Sequence, residues 1–287
     1  QILYPNKLNI EQSSSELTAN YKSKLIKGES LVDITGGFGV DSYYFSKNIK
    51  RIIHCEIDGG LSKIASHNFK NLKATNIETF EKDGILFLFE STHIFDWIYI
   101  DPSRRDEDKN KSFFIEDCHP NVAQHLDLFF KRSNNILIKL SPMLDIKAAL
   151  RALPNTKEIH VVATKNEVKE LLFVLEKGFS EEVSIEAINL NTLQPNFKFK
   201  FSEENKALVN YQNPFKYLYE PNLAILKSGA FKTVALRFEL EKLGRHTHLY
   251  TSIKKIENFP GKIYRINEIL PNKKADIRKK LKGIKAN

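Results

Sequence analysis

Four acids recur between residues 33 and 101, each at the end of a short apolar run: Asp33, Glu56, Asp83 and Asp101. The first opens the glycine-rich stretch Asp33-Ile34-Thr35-Gly36-Gly37-Phe38-Gly39, with Asp41 two residues on. Glycines let a backbone approach a ligand closely and leave a helix N-terminus beside it. Glu56 follows Gly36 by twenty residues, a spacing at which an acid can accept both hydroxyls of an adenosine ribose. Asp83-Gly84 can accept from an adenine amino group, and Asp101-Pro102 would stand where a reacting group lies. Taken singly, each acid reads as a helix cap or a solvated loop residue. Four acids ending four successive strands are hard to explain that way.

The elements that must position them follow from periodicity. Apolar strands are expected at 31–34, 51–55, 77–80, 97–100 and 135–140. Helices are expected at 41–46, 60–72, 84–89, 120–131 and 146–153, with an earlier one over 16–26 after the N-cap cluster Ser13-Ser14-Ser15-Glu16. Strands alternating with helices at this spacing predict an α/β fold, a Rossmann-like parallel sheet covered on both faces. In such sheets ligands bind beyond the carboxyl ends of the strands, where the four acids stand.

Beyond residue 153 the pattern changes. Segments 158–164 and 169–174 suit an antiparallel pair closing the sheet, although 167–177 also reads as a helix. Segments 183–190 and 196–201 read as a hairpin, with Phe197, Phe199 and Phe201 alternating with lysines. That stripe reads as one face of a sheet, or as a base-stacking platform. Pro195 and its polar neighbours place a domain boundary near Asn191, dividing 1–190 from 191–287. The second part mixes short elements at 221–227, 233–240, 249–253 and 263–266, and a basic run at 273–282.

The 287 residues, 41% hydrophobic, suffice for one large core plus a smaller module. The net charge of +9 is unevenly spread: residues 191–287 carry +12 and residues 1–190 carry −3. A localised basic excess is the footprint of a polyanion partner, or else a solvated lysine-rich surface. Cys55 reads as a buried thiol and Cys118 as a loop residue; two isolated cysteines imply neither a disulfide framework nor a metal site. His54, His119 and His246 lack metal-ligand spacing, so no metal is expected, and each reads as a satisfied or exposed histidine. Without a membrane-length apolar run or a signal-peptide pattern, the expected setting is cytoplasmic. The start at Gln1 and the basic final run suggest trimming at both ends.

On these motifs the sequence resembles the class I methyltransferases. Residues 33–39 resemble their first motif with Thr35 in place of the first glycine; Glu56-Ile57-Asp58 resembles the second, Asp83 the third and Asp101-Pro102 the fourth. More narrowly, Glu11-Gln12-Ser13-Ser14, Asp101-Pro102-Ser103-Arg104-Arg105, Lys139-Leu140-Ser141-Pro142, Asn166-Glu167-Val168-Lys169-Glu170 and Tyr217-Leu218-Tyr219-Glu220-Pro221-Asn222 are similar to a bacterial group with a THUMP-like C-terminal domain. The resemblance implies a seven-stranded sheet followed by a smaller α+β domain, THUMP-like or ferredoxin-like. It implies S-adenosylmethionine as cofactor, held by Asp33, Thr35, Gly36, Gly37, Phe38, Gly39, Asp41, Glu56, Ile57, Asp83, Gly84 and Asp101, and RNA as partner. The rival for the loop is a nicotinamide-binding fold, through Gly37-Phe38-Gly39-Val40-Asp41-Ser42, a G-x-G-x-x-S.

Asp101, Pro102, Arg104, Arg105 and Lys139 are the candidate catalytic residues. Neither cysteine lies where a pyrimidine-C5 nucleophile is needed. In one surviving reading Asp101 accepts from an exocyclic amine while Arg104 and Arg105 hold a phosphate. In the other, Lys139 and Asp101 activate a ribose hydroxyl, with Glu170 and Lys22 or Lys24 completing the set. A structural reading of Lys139, paired with a neighbouring acid, stands beside both. A methyltransferase of a small molecule or protein, and a catalytically silent RNA-binding protein, are the alternatives.

Overall fold

A computed structural model of the chain describes residues 1–104 and 115–270, with only the backbone at Arg104. The expected residues Arg105 and the basic run 273–282 lie outside the described residues.

Nine strands form the main sheet: β1 (Ser30–Asp33), β2 (Arg51–Glu56), β3 (Ile77–Glu81), β4 (Phe95–Ile100), β5 (Ser133–Leu140), β6 (Thr156–Thr164), β7 (Glu167–Glu176), β8 (Ser184–Leu190) and β9 (Phe197–Lys200). They lie in the order β9-β8-β6-β7-β5-β4-β1-β2-β3. Strands β1 to β5 pair in parallel, and β7 inserts antiparallel between β5 and β6. The sheet is therefore two strands wider than the seven expected, since β8 joins β6 in parallel and β9 closes the edge antiparallel. The segment 167–177 is strand rather than helix. Its run Leu171–Leu175 is buried on both faces, which a central strand requires and a surface helix does not.

Helices α1 (Lys7–Gln12) and α2 (Glu16–Leu25) precede the sheet; α3 (Val40–Phe45), α4 (Gly59–Asn71), α5 (Gly84–Glu90), α6 (Leu126–Arg132) and α7 (Ile146–Ala152) follow its strands. The Ser15 side chain caps α2, Asp58 caps α4 and Asp83 caps α5, each accepting from backbone N–H groups of the first turn. The expected helix over 120–131 shortens to a 3₁₀ turn at Ala123–His125 followed by α6.

The smaller sheet contains β10 (Tyr217–Pro221), β11 (Glu241–Gly244), β12 (Thr247–Ser252) and β13 (Gly261–Arg265), ordered β11-β12-β10-β13, with α8 (Phe201–Lys206), α9 (Leu223–Ser228) and α10 (Thr233–Arg237) beside it. Sequence reasoning had placed a boundary near Asn191, yet the main sheet takes its ninth strand from beyond that point. Phe197 and Phe199 of β9 turn into the core while Lys198 and Lys200 face outward. One continuous apolar cluster runs from Ile185 and Phe199 through Ile225 and Val234 to Tyr219 and Tyr250, so the two sheets share a core.

Candidate functional site

The acids meet at the carboxyl ends of β1, β2, β3 and β4. Asp33 closes β1 with its side chain buried. It accepts from the Thr35 N–H (3.1 Å) and from the Ser42 hydroxyl (2.6 Å). Burial pushes its carboxyl up to about 7, even though both bonds favour the ionised form. The loop then turns over β2. A Cβ at Gly36 would overlap the His54 imidazole, so glycine is required for the backbone to lie on that ring. Gly37, at φ +57°, opens outward; a Cβ there would meet only the Thr35 carbonyl, 3.8 Å away.

Glu56 grips this loop. It accepts from the Gly37 N–H (2.7 Å) on one oxygen and from the Asp58 N–H (2.8 Å) on the other. A carboxylate offers about four lone-pair sites, so capacity for two hydroxyls remains. Ile57 beside it is 69% exposed, an apolar surface next to a polar grip. Asp83 caps α5 through Oδ1 alone, leaving Oδ2 for a ligand. Gly84 fits beneath the Ile34 backbone, a packing role. Phe38 is half-buried, with the Tyr4 ring 6.2 Å away. The outward-opening glycine, the spare carboxylate capacity and the exposed Ile57 fit an adenosine bearing an amino-acid tail.

Thr35 does what glycine could not: its hydroxyl accepts from the Asp101 N–H at 2.7 Å, tying the loop to the end of β4. Asp101 is in turn bonded to the Lys139 ammonium from β5. This pair is partly accessible, with side chains 33% and 15% exposed. Burial works against the Lys139 charge, but Asp101, Asp41 and Glu170 outweigh it and raise its pKa.

Behind the pair lies a buried network. Lys22 of α2 is fully buried and bonds to Glu170 (2.7 Å) and to Ser14 (2.9 Å), with Asp41 at 3.2 Å. Asp41 also accepts from Ser14 (2.8 Å) and from Tyr99 (2.6 Å). Asp41 was expected to hold the cofactor; its carboxylate is instead taken up by this network. Burial would raise its pKa, and Lys22 and Lys139 together bring it below the usual range. Burial raises Glu170, with only part of the rise offset by Lys22. Of the two lysines considered beside Glu170, Lys22 makes the contact and Lys24 is exposed.

Pro102 follows Asp101 and is half-buried. The Ser103–Arg104 backbone pairs antiparallel with Cys118–His119. Cys118, expected in a charged loop, is buried. Between α5 and α6 a cavity of about 630 Å³ reaches from Asp83 and Phe89 to His119 and Pro120. Sequence reasoning missed Ser14, Ser42 and Tyr99, and it read His54 as satisfied or exposed. A histidine inside Ile52-Ile53-His54-Cys55, in ladder register with Asp33, was the available signal. Among the described residues no cluster of His, Cys, Asp and Glu could hold a metal ion, and no helix is long and apolar enough to cross a membrane.

A family model described as a ferredoxin-like domain matches residues 217–260, the stretch that begins with β10. Among curated proteins none matches the chain. The crystal structure of a putative methyltransferase from Porphyromonas gingivalis W83 superposes with a TM-score of 0.90 at 35% identity, over 99% of this chain and 72% of that one. Escherichia coli yhhF is 17% identical with a TM-score of 0.41, over 60% of this chain and 88% of that one. A Streptococcus mutans protein in complex with SAH is 12% identical with a TM-score of 0.40, over 61% and 99%. Those last two likenesses are too distant to carry an argument. The first is not, and with it the chain belongs to the methyltransferase family of the Porphyromonas gingivalis protein.

Proposed function

We propose that the chain is an S-adenosylmethionine-dependent methyltransferase acting on structured RNA, a tRNA or an rRNA. The observation that carries the cofactor half is the convergence of Glu56, Ile57 and Asp83 around the outward-opening Gly37, beside the Asp101–Lys139 pair. The bound cofactor would supply an electrophilic methyl. The chain's own residues would grip the adenosine, align the acceptor and keep water out. The RNA half rests on charge. Residues 191–270 alone carry +6, and Lys198, Lys200 and Lys262 are exposed.

The acceptor is an exocyclic amine or a ribose hydroxyl, and the pair at Asp101 favours the amine. A hydroxyl needs a base, and Lys139 is held as an ammonium by three carboxylates. Asp101 can accept from an amine without removing a proton first, and Lys139 then fixes Asp101. Mass spectrometry of tRNA and rRNA from cells with and without the gene tests the substrate. Loss of one methylated base supports the reading, and loss of a 2′-O-methyl shifts it to the hydroxyl. An unchanged profile points to a small-molecule or protein acceptor, or to a silent enzyme that only binds RNA.

A further inference from the structure

Beneath the glycine loop lies a cluster that the chemistry above leaves unused. Asp33 on β1, Ser42 on α3 and His54 on β2 are all buried, and Asp33 and His54 are ladder partners. The Ser42 hydroxyl bonds to Asp33 at 2.6 Å and lies 3.1 Å from His54 Nδ1. A hydroxyl has one proton. With that proton directed at Asp33, Ser42 can only accept from Nδ1–H, so Nε2 carries a lone pair. Nε2 is buried and has no hydrogen-bond partner among the described residues. The ring lies against Gly36, and the edge of Phe69 closes its other side at 5.2 Å.

One added proton rearranges the whole chain of bonds. It enters at Nε2, the Nδ1 proton passes to Ser42, and the Ser42 proton passes to Asp33. Asp33 ends as a neutral acid, the imidazole ends neutral with its proton on Nε2, and that N–H points at the loop. Burial lowers the His54 imidazole to about 4, only partly offset by the Gly37 backbone, so the added proton does not stay on the ring as a cation. Few other charged or titratable groups face the cluster. Among the described residues they are Asp41 on α3, Tyr99 on β4, Asp101 at the end of β4 with Lys139 beside it, and Cys55 and Glu56 on β2; α4 contributes the apolar Phe69.

We propose that Asp33, Ser42 and His54 form a proton relay that makes binding of a cationic sulfonium ligand on the glycine loop expel a proton, and binding of its neutral thioether product expel less. The inference rests on the cofactor reading above. A positive ligand favours the ionised form of a nearby carboxyl, and loss of the thioether's charge removes that preference. Asp33, with its carboxyl near 7, holds a proton part of the time at neutral pH. The relay would thereby weaken retention of the product relative to the substrate cofactor as pH rises.

The test is calorimetric titration of the intact chain with S-adenosylmethionine and with S-adenosylhomocysteine, near pH 7, in two buffers of different ionisation enthalpy. The expected result is a buffer-dependent heat equal to release of a fraction of a proton with the sulfonium and less with the thioether. Sulfonium affinity should rise with pH between 6 and 8, by at most about tenfold per pH unit. Ser42→Ala and His54→Gln, each checked for cooperative thermal unfolding, should change the proton release while still binding, because the Ser42 bond sets how readily Asp33 ionises. Sulfonium binding with identical heats in both buffers, or with release unchanged in Ser42→Ala, overturns the relay alone. A folded chain that binds no S-adenosylmethionine overturns the cofactor reading and the relay with it.

Discussion

The cofactor half and the acceptor half of the site are held in opposite ways. Around the glycine loop, Glu56 and Asp83 are positioned by backbone N–H groups of that loop and of the turns that follow them. At the acceptor end, Asp101 is fixed by charges drawn from α2, α3, β5 and β7, remote in sequence and packed into one buried network. Backbone donors make a rigid cradle that tolerates changes in neighbouring side chains. A buried ionic network has no such tolerance, because every removed partner leaves a charge uncompensated.

The largest expected effect comes from breaking the network at its centre. Lys22→Met leaves Glu170 and Asp41 buried without their cation and should lower unfolding stability by about 3–5 kcal/mol, measured by urea denaturation. Adding Glu170→Leu should recover part of the loss; strict additivity of the two costs would contradict the network. At the accessible pair, Lys139→Met should reduce turnover by about 10²–10³, the scale for one preorganised electrostatic contact. S-adenosylmethionine affinity should hardly change, and equilibrium binding beside steady-state kinetics separates the two.

On the other side of the comparison, Gly36→Ala forces a methyl onto the His54 ring and should cost about 1–3 kcal/mol in thermal unfolding. Asp33 offers a pH-resolved version. Its folded pKa of about 7 lies above its ordinary 3.8, so the ionised form opposes folding. That penalty is absent below about 4 and complete above about 7. The stability of Asp33→Asn relative to the native chain should therefore climb across that window and level off above it; a flat difference would show that Asp33 is not buried as an acid. The smallest effect is expected at Ile57. Its exposed side chain should tolerate Ala within about 0.5 kcal/mol of stability, yet the cofactor should bind more weakly.

The same contrast explains what could be read in the sequence. Asp33, Glu56, Asp83 and Asp101 end apolar strands, and period and spacing place such residues at one edge of a sheet. The glycines were legible for the same local reason. Asp41 read as a ligand contact from its position in the first turn of α3; its partners Lys22, Ser14 and Tyr99 were not legible, because they come from elsewhere in the chain. Lys139 stood out as a lysine in an apolar strand, but its partner could be identified only once β4 and β5 lay side by side. The hairpin of β8 and β9 was legible, but its place in the main sheet was not, because Pro195 lies in the loop between the two strands and reads as a boundary.

Equilibrium dialysis of the intact, folded chain against S-adenosylmethionine and against a nicotinamide dinucleotide tests the central claim most directly. The account predicts one saturable equivalent of S-adenosylmethionine, weakened by Glu56→Ala, and no dinucleotide. Saturable dinucleotide binding without S-adenosylmethionine binding would contradict it.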